Sequence, residues 1–115
     1  MMKILPLRSP DEFRPALAEH PCVIADFYKD HCPACQMLDL ALARFKTTAA
    51  SDIVLLKLKL EVLGEVFFRD LSLRQTPTLI FYHEGNEVCR RMGFQSPQQL
   101  SAAASSAFGR VIDVV

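Results

Sequence analysis

The stretch "ADFYKDHCPACQMLDLALARF", Ala25 to Phe45, changes character halfway along. Up to Tyr28 it continues the run "CVIADFY" that opens at Cys22, nearly all apolar and rich in strand formers, as suits a central strand covered on both faces. From Cys32 onward the apolar residues recur at a helical period, with Met37, Leu38, Ala41, Leu42 and Phe45 on one face. A strand runs into a helix, and Cys32-Pro33-Ala34-Cys35 stands at the junction. Three chemistries share that spacing: half of a metal site, a structural staple, or a redox pair.

Upstream, "KILPL" reads as a short first strand. Ser9-Pro10-Asp11-Glu12 then opens a helix, with serine as cap, proline at the first helical position and glutamate three residues on, and the helix ends near His20-Pro21. Downstream, "DIVLLKLKLEV" sets Val54, Leu56, Leu58 and Leu60 against Leu55, Lys57, Lys59 and Glu61, the period of a strand. "GEVFFRDLSL" is a short helix, and "TLIFY" and "EVCRRM", joined through "HEGN", form an antiparallel hairpin. Ser96-Pro97-Gln98-Gln99 repeats the capping logic for a last helix whose stripe is Leu100, Ala103, Ala104, Ala107 and Phe108 and whose stop is Gly109. The order β-α-β-α-β-α-β-β-α predicts an α/β fold in which parallel strands lead into a closing hairpin.

The chain has 115 residues, half of them apolar, enough for one core without staples. Residues 1–110 are expected to form one domain, followed by the tail 111–115, "VIDVV", whose options are an extra edge strand, packing on the core, or a dimer contact. Thirteen basic residues balance thirteen acidic ones with no run of like charge, which argues against nucleic acid or anionic lipid as partner. Apolar runs are far too short to cross a bilayer, and "MMKILPLRSPDEF" turns polar too early for a secretory signal, so a cytoplasmic protein is expected. Four cysteines are too few for a dense secreted framework. A metal site drawing on His31, Cys22 or His20 would lack the second ligand pair that zinc sites carry, so no metal and no cofactor are expected. Cys22 and Cys89 fall in strands and read as small buried hydrophobes.

With "ADFYKDHCPACQ" after a buried strand and "RQTPTLIFYHEGNEV" some forty residues later, the sequence resembles the thioredoxin family over nearly its whole length. The resemblance rests on the Ala25-Asp26-Phe27-Tyr28 lead-in, the Cys32/Cys35 pair, Lys57 in the next strand, Thr76-Pro77-Thr78 opening the fourth strand, and Gly93 after the fifth. It implies a central mixed sheet flanked by helices, and thiol-disulfide exchange as the activity. Two departures stand out. The family's tryptophan before the first cysteine is His31 here, and its Gly-Pro dipeptide is Pro33-Ala34, an order closer to glutaredoxins and disulfide oxidases. The Gly-Gly glutathione signature expected of a glutaredoxin is missing from "CRRMGFQS".

Thiolate, not thiol, attacks a disulfide, so the first cysteine needs its anion stabilised. Cys32 sits where an N-cap belongs, with Pro33 at the first helical position and the N–H groups of Ala34 and Cys35 turned toward its sulfur. A Gly-Pro motif would lack the donor that Ala34 supplies, since its proline stands at that second helical position, so a more stabilised thiolate and a more oxidising pair are expected. His31, when protonated, would add to this and Asp30 would oppose it. Cys32 is the expected nucleophile and Cys35 the resolving thiol; Asp26, an acid in an apolar strand, is the candidate base. By resemblance Lys57 is the partner of Asp26, and Pro77 is a cis-proline that sets the Thr76 backbone beside the cysteines to pair with a substrate chain. Met92, Gly93 and Phe94 would complete an apolar docking rim. The expected partners are protein disulfides and an external reductant, thioredoxin reductase or glutathione. A glutathione-coupled or net-oxidising exchanger, and a redox-silent binding scaffold, stay open as alternatives.

Overall fold

The computed structural model describes residues 2–46 and 52–113. Five strands, β1 (Lys3–Pro6), β2 (Cys22–Tyr28), β3 (Ile53–Lys59), β4 (Thr78–His83) and β5 (Asn86–Met92), form one sheet in the order β1-β3-β2-β4-β5. Strand β3 pairs parallel with both β1 and β2, whereas β2–β4 and β4–β5 are antiparallel, so the sheet is mixed and ends in the anticipated hairpin. Glu84 and Gly85, both at positive φ, make its two-residue turn, which suits the twist of the flanking strands.

Helices cover both faces. Helix α2 (Pro33–Lys46) and helix α5 (Pro97–Phe108) lie on one, burying Leu38, Leu42, Phe45, Leu100, Ala104 and Phe108 against Ile24, Leu55, Leu79 and Phe81. On the other face helix α1 (Phe13–Glu19), helix α3 (Leu60–Leu63) and helix α4 (Glu65–Asp70) bury an aromatic group in which Phe13 stands edge-on to Phe27, Phe67 and Tyr82. Each fully buried Phe or Leu contributes roughly 1.5–3 kcal/mol, so the sheet is gripped from both sides.

Several local expectations are corrected. The Ser9 cap does not form: Pro10–Glu12 is a 3-10 turn, helix α1 begins only at Phe13, and the Glu12 carboxylate accepts from the Arg8 N–H instead. The Ser96 box forms fully, with Ser96 Oγ accepting from Gln99 N at 3.1 Å and Gln99 Oε1 from Ser96 N at 2.8 Å. Met37 is 54 % exposed and off the core face of α2, because the stripe begins at Cys35 and runs through Leu38, Leu42 and Phe45. The alternation in β3 suggested one exposed face, yet Ile53 to Leu56 are all buried, since the strand lies between β1 and β2 with helices on both sides. The helix expected over residues 64–73 forms as α4, whereas Leu60 to Val62, read as the end of the strand, turn into α3; Gly64, whose φ of 94° no continuing helix can hold, divides the two. His83 ends β4 rather than lying in the turn, its ring edge-on to Phe108.

The tail folds back on the domain as far as it is described. Ile112 is buried in the core beside α5, its N–H donating to Ser105 Oγ at 2.8 Å while Ser101 Oγ donates to its carbonyl. Arg110 pairs with Asp52 at 2.7 Å. Residues 114 and 115 lie outside the described part.

Candidate active site

Cys32 and Cys35 are joined in a disulfide with their Cα atoms 5.2 Å apart. The pair opens α2: Cys35, at the third helical position, donates its N–H to the Cys32 sulfur at 3.2 Å, the bond a capping side chain would make. Among the described residues the Ala34 N–H makes no such bond, so one of the two expected donors is in place in the oxidised form. The preceding loop is anchored from below, with Asp30 N donating to the Glu61 carboxylate and Asp30 paired to Lys59 at 3.1 Å. His31 is exposed and takes φ 54°, turning the chain into the helix.

Because side chains alternate along a strand, Asp26 shares the face of β2 that carries Cys22 and Ile24, the face α2 covers. In the parallel register Asp26 lies opposite Lys57, and their side chains meet, Nζ to Oδ2, at 2.6 Å. Asp26 is only 1 % exposed, and its Oδ1 has no hydrogen-bond partner among the described residues. Burial pushes its carboxyl up to about 6; Lys57 partly offsets this and Asp39 adds to it. That is where a group can exchange a proton near neutrality.

Asp39 was not singled out in the sequence. It lies one turn after Cys35 on α2 and holds Lys57 Nζ at 2.8 Å. Burial works against the Lys57 ammonium, but Asp26 and Asp39 outweigh it and raise its pKa. Lys57 Nζ also lies 4.3 Å from the centre of the Tyr28 ring. The result is a chain of charge from solvent inward, Asp39 to Lys57 to Asp26. The i, i+4 spacing of Cys35 and Asp39 was the available signal, but an acid on an exposed helix position is ordinary and drew no notice.

On the opposite side of the disulfide, the Thr76–Pro77 peptide bond is cis. Thr76 faces Cys32, its carbonyl oxygen 3.9 Å and its Oγ1 3.7 Å from the sulfur. Gly93, at φ 81°, donates its N–H to Pro77 O at 2.7 Å, a conformation that side-chain-bearing residues rarely adopt. Met92 and Phe94, 60 % and 44 % exposed, flank it. Pro33 and Ala34 are exposed beside the disulfide. Cys22, by contrast, is buried with its thiol pKa raised by that burial, and Cys89 is half-buried in β5.

A disulfide at a helix start, a cis-proline facing it and a buried acid on the strand beneath define a thiol-disulfide oxidoreductase. The thioredoxin family model matches residues 5–106, and the chain belongs to the thioredoxin family. Among relatives, it is 32 % identical over 101 residues to thioredoxin-2 of Saccharomyces cerevisiae, covering 87 % of this chain and 94 % of the yeast protein. It is 28 % identical over 90 residues to the thioredoxin of Alicyclobacillus acidocaldarius, covering 78 % and 85 %. The fold superposes on a mutant thioredoxin from Halobacterium salinarum with a TM-score of 0.80 at 23 % identity, covering 98 % of this chain and 94 % of that one. It superposes equally on oxidised mitochondrial thioredoxin 3 of S. cerevisiae, with a TM-score of 0.79 at 19 % identity, covering 90 % and 94 %.

Proposed function

We propose that the protein reduces disulfides in protein substrates through Cys32 as nucleophile and Cys35 as resolving thiol, in a reducing compartment such as the cytoplasm. The observation that carries this reading is the disulfide's placement between the helix start and Thr76, with Asp26 buried on the strand below. In the reduced protein the Cys32 thiolate attacks one substrate sulfur, forming a mixed disulfide and expelling the other sulfur as a thiolate that takes up a proton. Cys35 then gives its proton to the Asp26 carboxylate and attacks the Cys32 sulfur. The Cys32–Cys35 disulfide forms as the second substrate sulfur leaves as a thiolate, which takes up a proton from water while Asp26 returns its own to solvent, so the substrate departs as a dithiol.

An external reductant supplies two electrons and two protons to restore the dithiol. Lys57 and Asp39 act as positioning residues, holding the Asp26 carboxyl in place and giving it a polar route toward solvent. Thr76 and Pro77 offer backbone on which an extended substrate segment pairs, with His31, Pro33, Ala34, Met92, Gly93 and Phe94 as the surrounding contact surface.

Recycling tests the proposal. Turnover of a protein disulfide with thioredoxin reductase and NADPH is the expected outcome; turnover with glutathione alone would assign the protein to the glutathione-coupled alternative. The helix-start environment also predicts that exchanging the dipeptide, Pro33→Gly with Ala34→Pro, raises the Cys32 thiolate pKa, read from thiolate absorbance. An unchanged or lower value would remove the argument for a more oxidising pair.

A further inference from the structure

Beside the reactive disulfide the surface opens into a groove of about 230 Å3 that ends at Thr76. Phe68 and Leu73 give it an apolar lining. Its charged lining is Lys29, Arg69 and Arg74, all exposed, against a single acid, Glu65. None of the three cations has an ion-pair partner among the described residues, while the neighbouring Lys59, Asp30 and Arg90 are already paired. Three uncommitted cations around an apolar trough form a focused positive site in a protein of zero formal net charge.

The sheet places this groove relative to the chemistry. Strand β4 follows directly on Pro77 and has β2 on one side and β5 on the other. Lys29 follows the end of β2, whereas Met92 ends β5; Leu73 and Arg74 lie between the two, lining both this groove and the adjoining hollow that Thr78 and Met92 border. A chain laid along Thr76 with its cysteine at Cys32 is therefore bordered by cations toward Lys29 and by the apolar Met92 toward β5.

The geometry points to the Lys29–Arg69–Arg74 groove as a specificity site for an acidic segment of the protein substrate, next to the cysteine under attack. This rests on the reading of the protein as a reductase of protein disulfides. Carboxylates on the segment neutralise the three cations while its apolar residues cover Phe68 and Leu73. The net positive lining favours an anionic segment and disfavours a basic one.

Two disulfide-linked peptides, identical except for Glu or Lys flanking the cysteine, test this with dithiothreitol as reductant. At low ionic strength the Glu peptide should show a kcat/KM about fivefold above the Lys peptide, the size expected of a few solvent-exposed ion pairs, and the ratio should collapse in high salt. The double variant Arg69→Glu, Arg74→Glu should invert the preference, its turnover of the Lys peptide proving it folded. Lys29→Glu alone should shift the ratio the same way by a smaller factor, and serves if the double variant does not fold. Equal kcat/KM for the two peptides, or a preference these variants leave unchanged, would overturn the proposal. So would a loss confined to oxidised glutathione, which would make the groove a site for that tripeptide. No turnover of either peptide by the wild type would instead remove the disulfide-reductase reading beneath it.

Discussion

Two cysteine environments bracket β2, alike in burial and different in chemistry. Cys22 starts the strand inside the apolar core, its thiol kept protonated by burial, with aliphatic side chains from α2 and α5 packed over that face. Cys32 comes just past the other end, where a helix begins, a backbone N–H points at the sulfur and Thr76 closes in from the segment before β4. Both are more than nine-tenths buried, so burial does not separate them. What separates them is the polar groups that touch the sulfur: a helix start, a carbonyl and a hydroxyl at one, mainly core hydrocarbon at the other, where Asp52, Arg110 and Glu84 act only through their charge. A sulfur becomes chemistry where dipoles and protons are in reach, and filling where they are not.

The largest break in this contrast is Cys32→Ser, which should reduce disulfide exchange to the uncatalysed rate in an insulin-type turbidity assay. Cys22→Ala should leave the rate per folded molecule unchanged. If it did not, the division between working and filling sulfurs would be wrong.

Asp26→Asn should slow the resolving step by roughly a hundredfold, the lower end of general-base effects, as seen in rapid-quench decay of the mixed disulfide. The wild-type rate should rise with pH through about 6, and that inflection should vanish in the variant. Stability should move in the opposite direction. The folded pKa of Asp26, about 6, lies above its unfolded value of 3.8, so the fold favours the neutral acid. That contribution is complete below the unfolded value and lost as pH rises through the folded one, about 3 kcal/mol in all. Asp26→Asn should therefore be more stable than wild type at pH 8 and equal to it near pH 4, by urea titration at both.

Cys22→Ser sharpens the comparison from the structural side. It sets a hydroxyl among hydrocarbon and should cost about 1–3 kcal/mol in urea denaturation with exchange kinetics unchanged. The smallest expected effect is that of Asp39→Asn. Removing this half-exposed partner of Lys57 should lower the pKa of Asp26 and shift the pH–rate inflection to lower pH, with stability changed by less than about 1 kcal/mol. An inflection that stayed put would mean Asp39 takes no part in setting the site.

Most of the fold was legible because its signals are local and strong. The near-continuous apolar run 22–28, the helical stripe after Cys35, the Glu84-Gly85 turn and the Ser96 box each matched what formed. The same capping pattern failed at Ser9, where the carboxylate of Glu12 found the N–H of Arg8 and the helix started later. A motif that proposes a hydrogen bond cannot exclude a competing donor nearby. Met37 was misplaced for a related reason: an apolar residue beside a stripe looks like part of it until the facing surface is known.

The redox pair, its helix and Asp26 were thus written in residue types and spacing, since capping, periodicity and thiol chemistry act over a few residues, while the Thr76–Pro77 entry to β4 was implied by the family resemblance. Bringing Lys57 and then Asp39 onto Asp26, setting Thr76 against Cys32, and gathering Lys29, Arg69 and Arg74 around one groove depended on strand register and on how the helices seat over the sheet. Those contacts join residues far apart in the chain, and their distances follow from how the whole core packs.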